Sequence, residues 1–516
     1  MLRLPADRLF DSSGLAARAG TASARGGAVS MAAQGVQFVL TFAGAAAMGR
    51  LLTPGEYGLV AMCTTTVGFV AMFKDAGLST ATVQAPEISR EQVSTLFWIN
   101  CAISAAVAAI VLLLSPLVAA FFHRPQLAAL TACLSGSFLV SGIGLQHNAL
   151  LRRHMMFTTL ALIQVASYVV YVATCVVAAL RGAGPWALVA GTLAQATATT
   201  LLTLLFCPWR PGRPRRAAGV RSLVTFGGQL TGFDFLNYCA RNLDNILIGR
   251  LCGPGPLGAY TRAYSLLTLP LNQLNAPLST VAVPALSRLA RTPDQYRRFY
   301  TRAVSMLGLV TIPGILFLVM MARDVVPALL GPGWDEAAVV YQLLGIAAVT
   351  QPIVSSTGWL YISQGRSRDM FRWGVIGSAI TVAAIVIGLR GGPRGVALSY
   401  SCFQWAALPL LCWLVFREGP VRFRHVAEAV LPFLIAAVWA CGAFWLARRF
   451  APPAVFPLAA GRLGPAGLAG AAAMVGSLYL LALSAFAAGR DRIAQFRSLC
   501  RSLMARAPAP AASVPP

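Results

Sequence analysis

Apolar runs of about 20 residues recur along the whole chain, and each is long enough to cross a ~30 Å hydrocarbon core as a helix. SAAVAAIVLLLSPLVAAFF (residues 104–122) is one of them. Only 11% of the 516 residues are charged and 57% are hydrophobic. A soluble chain carries about 25% charged residues, so this one lacks the polar surface to fold in water alone. Lipid leaves open sheet edges unsatisfied, so the runs are helices. The fold class read from the sequence is an all-α polytopic membrane protein with about fourteen spans. They lie near 29–50, 57–73, 94–122, 127–149, 158–180, 185–206, 223–248, 259–284, 303–322, 337–362, 371–389, 395–416, 426–447 and 465–488.

Residues 1–28 lack the compact apolar stretch of a cleavable leader and read as a cytoplasmic tail. With that tail inside, 29 of the 41 Lys and Arg residues fall on inner segments, as the positive-inside rule requires. The same bias accounts for the net charge of +25. The arginines are dispersed over helix ends and form no single patch, so no nucleic-acid partner is expected. The eleven cysteines and four histidines form no CxxC or Cys/His cluster. No metal site, disulfide framework or catalytic set is expected from them. His147 and His154 read as solvated inner-loop residues.

GRLLTPGEYGLV (residues 49–60) and GRLCGPGPLGAY (residues 249–260) are the same phrase written twice. A gapless shift of 200 residues aligns Gly49, Arg50, Leu51, Pro54, Gly55 and Gly58 with Gly249, Arg250, Leu251, Pro254, Gly255 and Gly258. It also aligns AGLSTATV (residues 76–83) with APLSTVAV (residues 276–283), giving eleven identities in the 36 positions from 49 to 84. Gly and Pro suit any helix-to-helix turn, but the second block is no turn phrase, and duplication is the better reading. The shift covers six spans, an even number, so both copies share one orientation. Two six-helix bundles around a central cavity follow as the expected architecture. The domain reading is a tail (1–28), an N-terminal bundle (29–206), a basic inner linker (207–222), a C-terminal bundle (223–416), two further helices (417–488) and a disordered cytoplasmic tail (489–516).

The shift also pairs two polar stripes. Ser30, Gln34, Gln37 and Thr41 follow helical spacing in the first span, as do Asp234, Asn237, Arg241, Asp244 and Asn245 in the seventh. Gln34 falls on Asp234, Gln37 on Asn237 and Thr41 on Arg241. Polar stripes in membrane helices face a wet cavity or a partner helix, because lipid exposure is costly. Arg241 and Asp244 are spaced to pair on one face. Arg50, Arg250 and Arg262 lie near outer helix ends, where snorkelling and substrate contact are equal alternatives.

KDAGLSTATVQAPEISREQVSTLFWIN (residues 74–100), with STLFWIN as its most specific part, resembles the Wzx-type polysaccharide exporters. These are the polysaccharide transporter branch of the multidrug/oligosaccharidyl-lipid/polysaccharide exporter superfamily. GRLLTPGEYGLVAM, ALLRRHMMF, GPWALVAG and RNLDNILIGR…LGAYTRAYSLLTLP are similar to further blocks of that family, and the likeness covers about residues 25–420. The resemblance implies a flippase, not an enzyme. Its cargo would be undecaprenyl-pyrophosphate-linked oligosaccharide, moved across the bacterial inner membrane for exopolysaccharide or lipopolysaccharide synthesis. Partners would be membrane lipids and the polysaccharide polymerase and export machinery.

Arginine binds phosphate oxygens in a bidentate way. Arg50, Arg241, Arg250 and Arg262 are therefore the phosphate candidates, with Gln34, Gln37 and Asn237 as sugar-binding groups. Asn100, Gln146 and Asn148 are among further neutral partners. Asp244, Asp234 and Asp75 are candidates for ion coupling, with H⁺ against Na⁺ undecided and no cofactor expected. Two rivals are a multidrug/cation antiporter, which needs an anionic cavity, and a membrane polymerase or ligase, which needs an outer loop with catalytic groups. RTPDQYRRFYTR (residues 291–302) reads as an amphipathic inner helix.

Overall fold

The computed structural model describes residues 15–75, 77–85, 87–214, 238, 242–450, 458–459 and 462–485, with the backbone alone at 15–32, 276, 458–459, 462 and 465. Their regular structure is helical apart from a two-residue antiparallel pairing of Leu458–Ala459 with Arg462–Leu463. Among them, nine helices are long and apolar enough to cross a membrane, or ten if a bent pair is one span. The chain is thus a multi-pass membrane protein. Large apolar side chains stand exposed along the helices, among them Val39, Leu113, Leu180 and Phe450. In lipid that outward face is as comfortable as a buried one.

Contacts divide the chain into two compact units. The first comprises residues 1–262, 329–336 and 389–393. Its helices are α1 (Leu15–Leu51), α2 (Pro54–Ala71), α3 (Leu78–Gln84), α4 (Arg90–Phe122), α5 (Gln126–Arg153), α6 (Phe157–Leu180), α7 (Trp186–Phe206), α8 (residues 242–252) and the start of α9 (Pro254–Leu289). Helix α4 packs on α5, α5 on α7, α6 on α7, and α1 on α6.

Local chemistry fixes the helix starts. Thr53 and Glu56 form a capping box at α2, with Pro54 in the first turn. Ser89 and Gln92 do the same at α4. Each box satisfies two backbone donors that an apolar surrounding would leave unpaired. Gly77 opens α3 with φ 67°, in the left-handed region that glycine adopts without strain.

The repeated phrase meets itself. A methyl group on Gly58 would lie 1.7 Å from the carbonyl oxygen of Pro254, and one on Gly258 would lie 1.8 Å from that of Pro54. Helices α2 and α9 therefore cross backbone to backbone, which only residues without a side chain permit.

Residues after α7 dock back onto this unit. Cys207 and Trp209 are buried with Phe97, Leu150 and Leu151. The Gly212 amide donates to Ser94 Oγ (3.0 Å), and the Trp98 indole donates to the Gly212 carbonyl (2.9 Å). His147 lies within α5 and is 1% exposed, with one ring nitrogen 3.2 Å from the Trp209 carbonyl oxygen. The expected loop histidine is a core residue. STLFWIN is in part a dock for the start of the linker.

The second unit holds the remainder of α9, α10 (Pro293–Met320), most of α11 (Ala322–Leu330), α12 (Asp335–Ala348), α13 (Gln351–Ser363), α14 (Ser367–Gly388), α15 (Gly392–Phe416), α16 (Phe423–Phe450) and α17 (Pro465–Ala485). Helix α16 packs on α10 and α17. Residues 293–302 are helical and amphipathic, with Arg298 and Arg302 exposed. They begin α10, because Tyr296 and Tyr300 are buried and bond to Ser363 (2.6 Å) and Ser356 (2.9 Å) of α13. Residues 323–336 hold all of α11 but its first residue, and the first two residues of α12. The expected span 337–362 is broken into α12 and α13, bent by 46°.

Candidate functional site

Helix α5 carries Ser137, Ser141, Gly144, Asn148 and Arg152 at helical spacing, and α7 carries Thr192, Gln195, Thr199 and Thr203. Each set forms one face. The helices touch where a methyl on Gly144 would lie 3.2 Å from Thr200 Oγ1, which donates to the Val140 carbonyl (3.0 Å). Beside this contact the two rows line a cleft of about 410 Å³. Lys74, from the 3₁₀ turn Met72–Lys74, completes the wall.

Among the described residues, the lining contains two cations, several hydroxyls and amides, and no carboxylate. Arg152 Nε donates to Asn148 Oδ1 (2.8 Å), which orients the guanidinium and leaves its terminal nitrogens open. The Lys74 ammonium is half-buried, and no residue among those described holds it in a hydrogen bond or ion pair. Thr203 is 1% exposed, and its Oγ1 has no partner among the described residues. An electropositive, hydroxyl-lined cleft within membrane helices can hold an anionic head group and the neutral polar groups attached to it.

A second cluster surrounds Arg262. Its guanidinium carbon lies 3.6 Å from the centre of the Tyr57 ring. That ring meets Trp334 edge-on at 5.5 Å, and the Trp334 indole donates to the Gly49 carbonyl (2.8 Å). Tyr168 and Tyr171 stack at 5.5 Å within reach of the Arg262 charge. Arg250 lies over Phe121 at 5.7 Å. Among the described residues, no carboxylate forms an ion pair with Arg250 or Arg262. Asp244 accepts from the Tyr260 hydroxyl (2.9 Å) and the Asn245 amide (2.8 Å), tying α8 to α9.

The model for the family described as polysaccharide biosynthesis protein matches residues 47–339, more than half of the chain. The chain belongs to that family. It is 27% identical over 394 residues to the lipopolysaccharide biosynthesis protein WzxC of Escherichia coli (strain K12), covering 75% of this chain and 80% of that protein. It is 27% identical to the teichuronic acid biosynthesis protein TuaB of Bacillus subtilis (strain 168), covering 79% and 84%. It is 25% identical to the succinoglycan biosynthesis transport protein ExoT of Rhizobium meliloti (strain 1021), covering 82% and 87%. Among solved structures, the lipid II flippase MurJ in an inward closed conformation shares the fold, with a TM-score of 0.71 at 14% identity over 89% of this chain and 98% of that one. An inward-facing MATE family multidrug resistance transporter of the MOP superfamily matches at 0.55 and 14%, over 81% and 96%. The Wzx-type resemblance of the sequence agrees with these matches.

Within this polysaccharide biosynthesis family member, the residues singled out by sequence fall in three places. Arg50 is exposed at the end of α1, Arg250 and Asp244 lie on α8, and Arg262 lies on α9 over the aromatic cluster. Gln34 is exposed on α1, while Gln37 is half-buried with an Oε1 that finds no partner among the described residues. Asp75 is elsewhere. It accepts from the Ser79 amide (3.2 Å) and hydroxyl (2.7 Å) and faces Asn100, capping α3. Arg241, Asp234 and Asn237 lie outside the described residues, and so does the expected Arg241–Asp244 pair. Except for Asn148, the sequence reading named none of the cleft's polar residues as candidates. The signal was available in the three-and-four spacing of the α7 row and of Ser137, Ser141, Asn148 and Arg152.

Proposed function

We propose that this protein is a flippase that moves an undecaprenyl-pyrophosphate-linked oligosaccharide from the cytoplasmic to the periplasmic leaflet of the bacterial inner membrane. Two six-helix bundles related by the internal repeat, within about fourteen spans and with both termini cytoplasmic, would alternate access to the head group while the polyprenyl tail stays in lipid. The protein would do no covalent chemistry. It would serve exopolysaccharide or lipopolysaccharide synthesis alongside a polymerase.

The observation that carries this reading is the α5–α7 cleft. Its two cations, its hydroxyls and amides and the lack of carboxylates among its described lining residues suit an anionic, sugar-bearing cargo. A cation antiporter would concentrate acids there instead. Family membership and the names of its relatives support the same class.

The test is a leaflet assay. A lipid-linked oligosaccharide made on the cytoplasmic face of oriented vesicles is probed by a lectin confined to the periplasmic side. Exposure that requires the protein is expected. Equal exposure with and without correctly folded protein refutes the proposal.

A further inference from the structure

We infer that the α5–α7 cleft is a two-part site on the cytoplasmic side, in which Lys74 and Arg152 seat the diphosphate and the α7 threonine row takes the first sugars. The inference rests on the flippase reading above and adds the site at which the head group is loaded.

Placement comes first. Lys74 and Arg152 both belong to inner segments under the positive-inside orientation. Helix α5 runs toward that face and ends at Arg153, and α7 ends there at Phe206. The two cations therefore share the cytoplasmic end of the cleft. Thr203 lies near the same end, and Thr192 is eleven residues deeper, ~16 Å along the helix at 1.5 Å per residue.

Chemistry supports the division. Asn148 occupies one Arg152 donor and fixes the plane of the guanidinium, and its remaining donors suit two phosphate oxygens. Lys74 adds a point charge with three rotatable donors. The half-buried Lys74 ammonium feels the Asp75 charge but forms no ion pair with it, since that carboxylate is held by Ser79, and an incoming diphosphate would neutralise the ammonium directly. The buried, unpartnered Thr203 hydroxyl is the independent sign of a ligand. Native proteins rarely leave such a group unsatisfied. A sugar hydroxyl beside the diphosphate would complete it.

Binding to the full chain in lipid nanodiscs tests this. The probes are undecaprenyl diphosphate, the same lipid bearing one hexose, and undecaprenol, with inorganic pyrophosphate and phosphatidylglycerol as competitors. Lys74→Gln and Arg152→Gln should each weaken both diphosphate lipids at least tenfold, and Arg152→Lys should recover part of the loss. Thr203→Val should leave the sugar-free lipid within twofold of wild type and weaken the hexosyl lipid at least threefold. Circular dichroism and thermal melts confirm that each variant is folded. Competition by inorganic pyrophosphate supports the assignment of the diphosphate. Equal competition by phosphatidylglycerol would make the cleft a general lipid-head-group site and overturn the inference. If Lys74→Gln and Arg152→Gln bind like wild type while the leaflet assay still shows transfer, the cleft assignment fails and the flippase reading stands. If wild type binds no diphosphate lipid and transfers none, both fail.

Discussion

Gly58 and Gly258 stand in reciprocal contact: each lies against the carbonyl of the proline four residues before the other, Pro254 and Pro54. They are also equivalent positions of the two GR-L-x-x-PG-x-x-G phrases. The close crossing gives the doubled motif a physical reason, since both copies must lack a side chain at the same point.

Gly58→Ala and Gly258→Ala should therefore each destabilise the protein. The added methyl meets a backbone oxygen rather than the end of a flexible side chain, so the helices must separate. Overpacking of this kind costs roughly 1–3 kcal/mol. Thermal melts in detergent should show a similar fall for the two variants. The double variant should fall by less than the sum, because one separation relieves both clashes. An unchanged melting temperature in either single variant would refute the contact.

The Arg262–Tyr57 stack separates the ring from its hydroxyl. Tyr57 Oη is buried with no partner among the described residues, so Tyr57→Phe removes an unsatisfied group and should leave stability unchanged or slightly higher. Tyr57→Leu removes the ring and should cost about 1–2 kcal/mol through the lost cation–π contact. If the hydroxyl contacts cargo, Tyr57→Phe will lower transfer in the leaflet assay at constant melting temperature. Equal melting temperatures for the Phe and Leu variants would show that the stack contributes nothing.

The membrane class and the doubled turn were legible because they rest on patterns with few alternatives: 20-residue apolar runs, and Gly and Pro at fixed offsets. The α1 amides stood out because such groups seldom face lipid, and the structure leaves Gln34 exposed and Gln37 half-buried. The cleft was missed because membrane serines and threonines mostly bond their own helix, as Thr192 does to Leu188 (2.8 Å) and Ser137 to Leu134 (2.7 Å). A row of such residues reads as inert until two rows are seen to face each other. Lys74 was read only for its charge in the orientation argument. His147 was read as a loop residue because nothing in one sequence announces that Trp209, 62 positions later, returns to cover it.

The docked linker can be tested at a thiol. Burial pushes the Cys207 thiol up to about 11, which leaves little thiolate at neutral pH. Trp98→Phe removes the donor to Gly212, and Ser94→Ala removes its acceptor. The double variant should speed maleimide labelling of Cys207, followed by mass spectrometry, and chymotrypsin cleavage after the buried Trp209. Wild-type rates for both would show that the two bonds do not hold the segment.

The second unit depends on a buried charge pair. Asp324 is 5% exposed and accepts from Arg448 Nη1 (2.7 Å) and Nη2 (3.2 Å) and from the Leu463 amide (3.1 Å). It thereby joins α11, the end of α16 and the short pairing before α17. Replacing one member leaves the other charge uncompensated, so Asp324→Leu should cost about 3 kcal/mol, the lower end of the usual range because Arg448 keeps some solvent. Adding Arg448→Met should restore part of that loss and no more, because the Leu463 amide stays unpaired. A double-variant thermal cycle reads the coupling directly. Strictly additive losses would mean that the carboxylate acts through the Leu463 amide alone, and that the ion pair contributes nothing to holding α16 on α11.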